Sequence, residues 1–408
     1  MSHIRSNAVM LKQICQHIPP RLVARAAREH GVDRKSRSFS PWSHVVAMVY
    51  AQLAHALSLN DLCDALRNRG EAPHTVRGAT PPSRNGLSHA NRTRDSAMAE
   101  QVFWDVLGWM RERASGFGMG RKYAGIPRRF KRAINSIDST TIALVANCMD
   151  WAKHRRRKAA AKCHMRLNPQ EFLPRFVAIG SGNVADVSRV AEPCAGLRAG
   201  EIVVFDKAYL LFSPLAALTA RGVFWISRAK TDMRYEKTTV RWCSKSGPVI
   251  LDAIVRLTGY PTKKHYPQSL RLIKAWVEVE GKPKLMTFLT NNMEWAPTSI
   301  CDLYKSRWGI ETFFKELKQN LQPCDFLGYS ANAIEWQLWM ALLSYVLVRF
   351  LAHLSQWGHS FSRIFTTPRA LLWARFDLMP LLESYGTAHG LPRTRAAPEH
   401  AYLPGLAY

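Results

Sequence analysis

Acidic residues are scarce in this 408-residue chain: Asp and Glu total 30 against 57 Lys and Arg, a net charge of +27. A small-molecule enzyme has no need of such an imbalance, and a surface built only for solubility intersperses both signs. A protein that neutralises phosphates does need it. Paired cysteines are also lacking. The eight cysteines, at 15, 63, 148, 163, 194, 243, 301 and 324, form no Cys-x-x-Cys and no zinc-ligand spacing. That excludes a disulfide scaffold or zinc module and leaves reduced, mostly structural thiols of an intracellular protein; the adjacent Cys163 and His164 read as incidental. Long apolar runs are missing too. The start, MSHIRSNAVMLKQIC, has no signal-peptide core. The most hydrophobic run, LWMALLSYVLV (338–348), stops after 11 residues, whereas a bilayer span needs about 20, so it reads as a buried helix and no membrane partner is expected. No repeat or low-complexity segment interrupts the rest, which at 47% hydrophobic content reads as globular, with two or three domains.

Residues 1–125 carry helical periodicity, strongest at 42–57 and 96–112. Between these, Ser58 can cap a short helix ending near Gly70, and Ser83 a second one bearing Arg84, Asn85, Asn91 and Arg92. The order suits a helix-turn-helix whose second element enters a DNA groove, and equally a plain helical bundle with a polar loop. A Gly- and base-rich linker, 116–129, follows. Short β-branched runs at 134–145, 175–183, 201–210 and 223–229, the last two flanking a helical pattern, predict a mixed α/β core over 130–230. Residues 231–292 read as a β-strand insertion, 293–350 as the remainder of the core, and 351–408 as a C-terminal helical region. The segment KHRRRKAAAKCHMR (153–166), seven bases without an acid, reads as a solvated run able to touch a DNA backbone.

One stretch, YKSRWGIETFFKELKQNL (304–321), carries more chemistry than a surface helix needs. Pro297 offers a helix start and Pro323 a stop. At about 100° per residue, Tyr304, Arg307, Glu311 and Lys318 fall within an arc of roughly 60°, on one helix about 21 Å long between the outer two. An ordinary Arg307–Glu311 ion pair has the same spacing. Two acids elsewhere weigh against so plain a reading: Asp138 interrupts one predicted core strand and Asp206 ends another. A buried aspartate needs a partner, and two of them with Glu311 make three hard oxygen donors of the kind that hold Mg2+. Two such ions stabilise the attacking and leaving oxygens of a phosphoryl transfer.

These residues carry a resemblance. The spacing Tyr304, Arg307, Glu311, Lys318, the segment IDSTTIAL around Asp138 and DKAY around Asp206 resemble the DDE transposases of the insertion-sequence-4 family, whose signature on this helix is Y-R-E-K. The N-terminal segments WSHVVAMVYAQL, SLNDLCDAL and LSHANRTR are similar to the helical domain of one branch of these enzymes. Where many members have Asp-Arg-Gly-Tyr, this chain has Asp206-Lys207-Ala208-Tyr209. The resemblance implies an RNase H-like catalytic core interrupted by the β insertion. It implies Asp138, Asp206 and Glu311 as catalytic metal ligands for two Mg2+, with Mn2+ as a substitute. Tyr304, Arg307 and Lys318, with Lys207 and Tyr209 of the second motif, would contact DNA. The implied activity is cut-and-paste transposition of a bacterial insertion sequence by a cytoplasmic, nucleoid-associated enzyme. Its partners would be double-stranded DNA, both inverted repeats and target, and a second copy of the chain in the synaptic complex. A nuclease without strand transfer and an inactive DNA-binding descendant are the rival readings. Trp242, Trp276, Trp295 and Trp308 are candidates to stack on an unpaired base.

Overall fold

The computed structural model describes residues 5–34, 36, 38–118, 130–144, 153–154, 158–181, 191–244, 246–279, 281–321 and 327–385. The chain forms two compact units, one of residues 1–117 with 316–408 and one of residues 118–315.

The first unit is helical: α1 (Met10–Cys15), α2 (Pro20–Glu29), α3 (Pro41–Ala54), α4 (Leu59–Arg67), α5 (Arg84–Thr93) and α6 (Ser96–Arg113). The expected caps form, Ser58 accepting the Asp61 N–H and Ser83 the Gly86 N–H. Residues 68–83 lie between α4 and α5, too long a connection for the 3–4-residue turn of a helix-turn-helix. On α5, Arg84, Asn85 and Arg92 are exposed, with Arg84 paired to Asp64 at 2.9 Å. Asn91 is a correction to the sequence reading. It is 2% exposed, accepts from His44 Nε2 at 2.8 Å and donates to the Leu327 carbonyl at 3.2 Å, so it serves the core and not a groove.

In the second unit, β1 (Ile134–Leu144), β2 (Lys153–His154), β3 (Lys158–Asn168), β4 (Leu173–Ser181), α7 (Ala191–Cys194), β5 (Ile202–Phe205), α8 (Phe212–Ala220) and β6 (Phe224–Arg228) precede β7 (Tyr235–Cys243), β8 (Val249–Leu257), α9 (Tyr260–His265), β9 (Leu270–Val279) and β10 (Lys282–Thr290). Helices α10 (Pro297–Lys305) and α11 (Trp308–Leu321) follow, and α11 crosses into the first unit, where α12 (Ala331–Leu354), α13 (Phe361–Ala370) and α14 (Leu378–Tyr385) complete the chain. The apolar run 338–348 lies in α12, buried against α6, α3 and α5.

Among the described residues, the ten strands form one mixed sheet, ordered β2-β3-β1-β5-β6-β10-β9-β8-β7, with β4 also on β3. β1, β5 and β6 are parallel, and β3 and β4 antiparallel to their neighbours. This mixed sheet with its helices fits an RNase H-like fold. The basic run 153–166 is corrected here: its second half is β3, with Ala161, Cys163, His164 and Met165 each at most 3% exposed. Alanines and the aliphatic stems of the bases let a positively charged sequence pack as a core strand. The insertion strands extend the same sheet, because β10 pairs antiparallel with β6. One sheet face packs Phe205, Val203 and Leu272 under α8; the other packs Val204, Ile226 and Ile273 under Ile300, Leu303 and Tyr304 of α10.

Within the insertion, Arg271 and Asp252 form a two-pronged ion pair, 2.8 Å on each prong, with side chains 2% and 6% exposed. Removing one partner leaves a buried charge. Arg271→Met is therefore expected to cost about 3–5 kcal/mol, and the double variant Arg271→Met with Asp252→Leu to recover most of it. Urea unfolding reads both; equal losses in the single and double variants would contradict the pairing argument.

Candidate active site

The parallel strands β1, β5 and β6 hold Ile137, Phe205 and Ser227 in register. One residue further along each strand stand Asp138, Asp206 and Arg228. Since Ile137 and Phe205 face the α8 side, the alternation of strand side chains turns their successors toward the α10 side. Asp206 and Arg228 stand at the carboxyl ends of their strands, the usual seat of a ligand site in α/β sheets, while Asp138 lies within β1 at the level where its pairing with β5 ends. Asp206 is the last extended residue, φ −76° and ψ 163°, before a 3₁₀ turn over Lys207–Tyr209.

The single helix expected over 304–321 is two helices. Between α10 and α11 the N–H groups of Ser306, Arg307, Gly309 and Ile310 donate to carbonyls three residues back, at 3.0–3.1 Å, and the Ser306 hydroxyl donates to the Leu303 carbonyl at 2.6 Å. Such a 3₁₀ turn advances about 120° per residue, so side chains three apart eclipse. Accordingly Arg307 lies over the Tyr304 ring, 5.7 Å from its centroid. The break replaces a stripe along one helix with a stacked pair at a junction.

That pair holds the acids. The Tyr304 hydroxyl donates to Asp206 Oδ1 at 3.4 Å, and its buried ring packs on Phe288; burial pushes the phenol up to about 12, which keeps it a donor. Arg307 donates from Nη1 to Asp138 Oδ2 at 3.0 Å and from Nη2 to Glu311 Oε1 at 2.6 Å. The Ser139 N–H donates to the other Asp138 oxygen at 2.8 Å. Even so, burial pushes the Asp138 carboxyl up to about 6: it outweighs Arg307 and the Ser139 N–H, and the charges of Glu311 and Asp206 push the same way. The three acids therefore feel one another.

Other expected site residues fall elsewhere. Tyr209 is a further correction: it is 1% exposed, in the cluster under α8, with its hydroxyl 3.4 Å from His164 Nδ1, so it packs in the core and not on the surface beside Asp206. Lys207 is exposed beside Asp206. Lys318 lies in the last turn of α11. Trp295 packs between Phe130 and Phe224, and Trp308 against the α10-side cluster. Arg228 escaped the sequence reading; its signal is the basic residue closing the apolar run 223–229.

Among the described residues, no three His, Cys, Asp or Glu stand close enough to hold an ion as arranged. The donor chemistry nevertheless fits a hard divalent cation, with carboxylates on two adjacent strands and one helix. The position between Asp138 and Glu311 is taken by the Arg307 fork.

A mixed sheet that brings Asp138, within β1, and Asp206, just past the end of β5, to one face beside Glu311 has the donor types of a divalent-metal site. Comparison with known proteins narrows this class. Residues 129–347 match the transposase DDE domain, and residues 6–71 a domain of unknown function, DUF4372. A putative transposase, y4zB, of Sinorhizobium fredii is 30% identical over 67% of this chain and 73% of its own length. The transposase InsG of insertion sequence element IS4 from Escherichia coli is 29% identical over 36% of this chain and 34% of its own. A solved piggyBac transposase synaptic complex with hairpin DNA aligns with 100% of this chain and 88% of its own at TM-score 0.47 and 12% identity. The chain belongs to the DDE transposases, enzymes of DNA phosphoryl transfer that work with divalent metal ions, and it is a transposase of an insertion sequence.

A carboxyl whose folded pKa is raised costs stability once it ionises. For Asp138 the cost is absent below its ordinary 3.8 and complete above about 6. Asp138→Asn, which still accepts from Arg307, is expected to stabilise the metal-free protein by roughly 1–3 kcal/mol at neutral pH, the gain opening between about pH 4 and 6. Thermal unfolding in EDTA across pH tests this; coincident curves for the two proteins would refute it.

Proposed function

We propose that this transposase binds the inverted ends of its element, cuts them at the Asp138, Asp206 and Glu311 site, and joins the freed 3′-hydroxyl to target DNA, with two copies of the chain holding two ends. The observation that carries this reading is the shared rung: Asp138 and Asp206 occupy equivalent positions on adjacent parallel strands, and Glu311 reaches Asp138 through Arg307. The three acids would hold two Mg2+, which when bound supply Lewis acidity to the attacked phosphate and lower the pKa of the attacking hydroxyl.

The chain's own groups do the rest. Tyr304 orients Asp206 from below. Lys207, Arg228 and Lys318 would bind backbone phosphates, whose contact fixes register without reading sequence. End recognition would fall to the N-terminal helices, with Arg84, Asn85 and Arg92 on the exposed face of α5. Trp242 is the favoured stacking residue of the four. It opposes Asp252 across β7 and β8, on the α10 face with the acids, and is 58% exposed. Trp276, 47% exposed, lies on the opposite face, because its neighbours Ala275 and Val277 pack under α10.

Glu311→Gln and Asp206→Asn are expected to retain binding to a duplex carrying the element's end and to lose cleavage by orders of magnitude. Lys318→Ala is expected to weaken binding and to lower the slope of log K against log salt by about 1. A cleavage and joining assay with Mg2+ on paired element ends, together with salt-dependent binding, measures all three. Near-normal nicking by Glu311→Gln would overturn the acid assignment, and cutting without joining would favour a nuclease.

A further inference from the structure

Arg307 occupies an unusual position for a residue whose family signature makes it a DNA contact. Its guanidinium spans two of the three acids, and it is 8% exposed. The fork makes one hydrogen bond to each of two carboxylates and lies over the Tyr304 ring, while its buried Nε has no hydrogen-bond partner. One of the two partners is half open to water, the Glu311 side chain being 51% exposed. The side chain springs from a 3₁₀ junction and not from a regular helix turn. The guanidinium thus sits between two of the three acids, where a divalent counterion would go.

We propose that Arg307 is the resting occupant of the cation's place, so that DNA phosphate and divalent metal bind this site with positive coupling. This rests on the reading of Asp138, Asp206 and Glu311 as metal ligands. A guanidinium carries one charge and donates along fixed directions, and carboxylate and phosphate both suit its fork. A backbone phosphate entering the site offers Arg307 an equivalent acceptor. Its departure leaves Asp138 and Glu311 as two facing carboxylates without a counterion, a state that raises their affinity for a divalent ion. The converse follows by linkage: an ion on the acids frees Arg307 for phosphate, and the two couplings are equal in size. In the absence of DNA the acids are kept occupied by the chain itself, which suppresses metal loading away from the substrate. Arg307 is in this sense a positioning residue that acts through the acids.

The test is Mn2+ binding, read from the electron paramagnetic resonance of the free ion, on the full chain with and without a duplex carrying the element's terminal sequence. In the wild type the duplex is expected to tighten Mn2+ binding about tenfold or more, within the usual span of site-to-site coupling. Arg307→Gln without DNA is expected to bind Mn2+ tighter than the wild type by a similar factor, and to lose most of the gain from DNA. Arg307→Lys keeps the charge without the fork and should fall between, which keeps the test open if the Gln variant does not fold. A residue with a purely structural role would lower the melting temperature without tightening Mn2+. Mn2+ affinity that is unchanged by either substitution, or a DNA gain as large in Arg307→Gln as in the wild type, overturns the coupling alone, provided Asp138→Asn and Glu311→Gln abolish Mn2+ binding. Binding that survives those two changes overturns the metal-site reading and the coupling with it.

Discussion

Carboxylates gathered on one sheet face repel one another, and the fold must contain that repulsion before any chemistry is available. Parallel pairing of β1 with β5 sets Ile137 beside Phe205, so Asp138 and Asp206, one residue further on, share a face, and no side-chain rotation can carry either of them to the opposite one. Containment comes from the junction between α10 and α11. An uninterrupted α-helix would set Tyr304 and Arg307 about 60° apart around its axis, while the 3₁₀ turn eclipses them. The eclipsed pair then divides the work, with Tyr304 on Asp206 and Arg307 on Asp138 and Glu311. Buried carboxylates left without a donor cost free energy, and a domain's net stability leaves little room for that. The junction is thus as much a folding requirement as a functional one.

Much of this architecture was legible from local chemistry. Ser58 and Ser83 cap helices because a hydroxyl before a periodic run has one obvious use. β1, β5 and β6 announced themselves as apolar β-branched runs, and the two aspartates stood out because acids in such runs need a reason. The failures share a cause of their own: each turns on what lies across from a residue in three dimensions. The basic segment before Asn168 becomes a core strand because β1 and β4 flank it, which no local property of KAAAKCHMR states. Asn91 looked like a groove reader by residue type, but His44 and the Leu327 carbonyl claim it. Tyr209 belongs to a motif beside an acid, yet the 3₁₀ turn after Asp206 rolls it into the core. The helix break turns on one serine hydroxyl competing for a backbone carbonyl, a weak signal beside the long amphipathic pattern that spans it.

The insertion is tied to this site more closely than a peripheral module would be. It does not form a sheet of its own: β10 returns onto β6, the strand that ends at Arg228. The turn leaving β10 is then held from within the insertion. Arg271 donates to the Trp295 carbonyl and Arg241 to the Met293 carbonyl, while Asn292 accepts the N–H groups of Glu294 and Trp295. That turn launches α10, with Ala296 in the cap position and Pro297 opening the first turn. Helix α10 in turn sets the direction from which Tyr304 and Arg307 meet the acids. The Arg271–Asp252 pair is thereby joined, through the Trp295 carbonyl, to the turn from which α10 starts. The sequence separates Asp206 from Glu311 by about a hundred residues, yet the sheet makes the intervening strands part of the support that brings the two acids to one place.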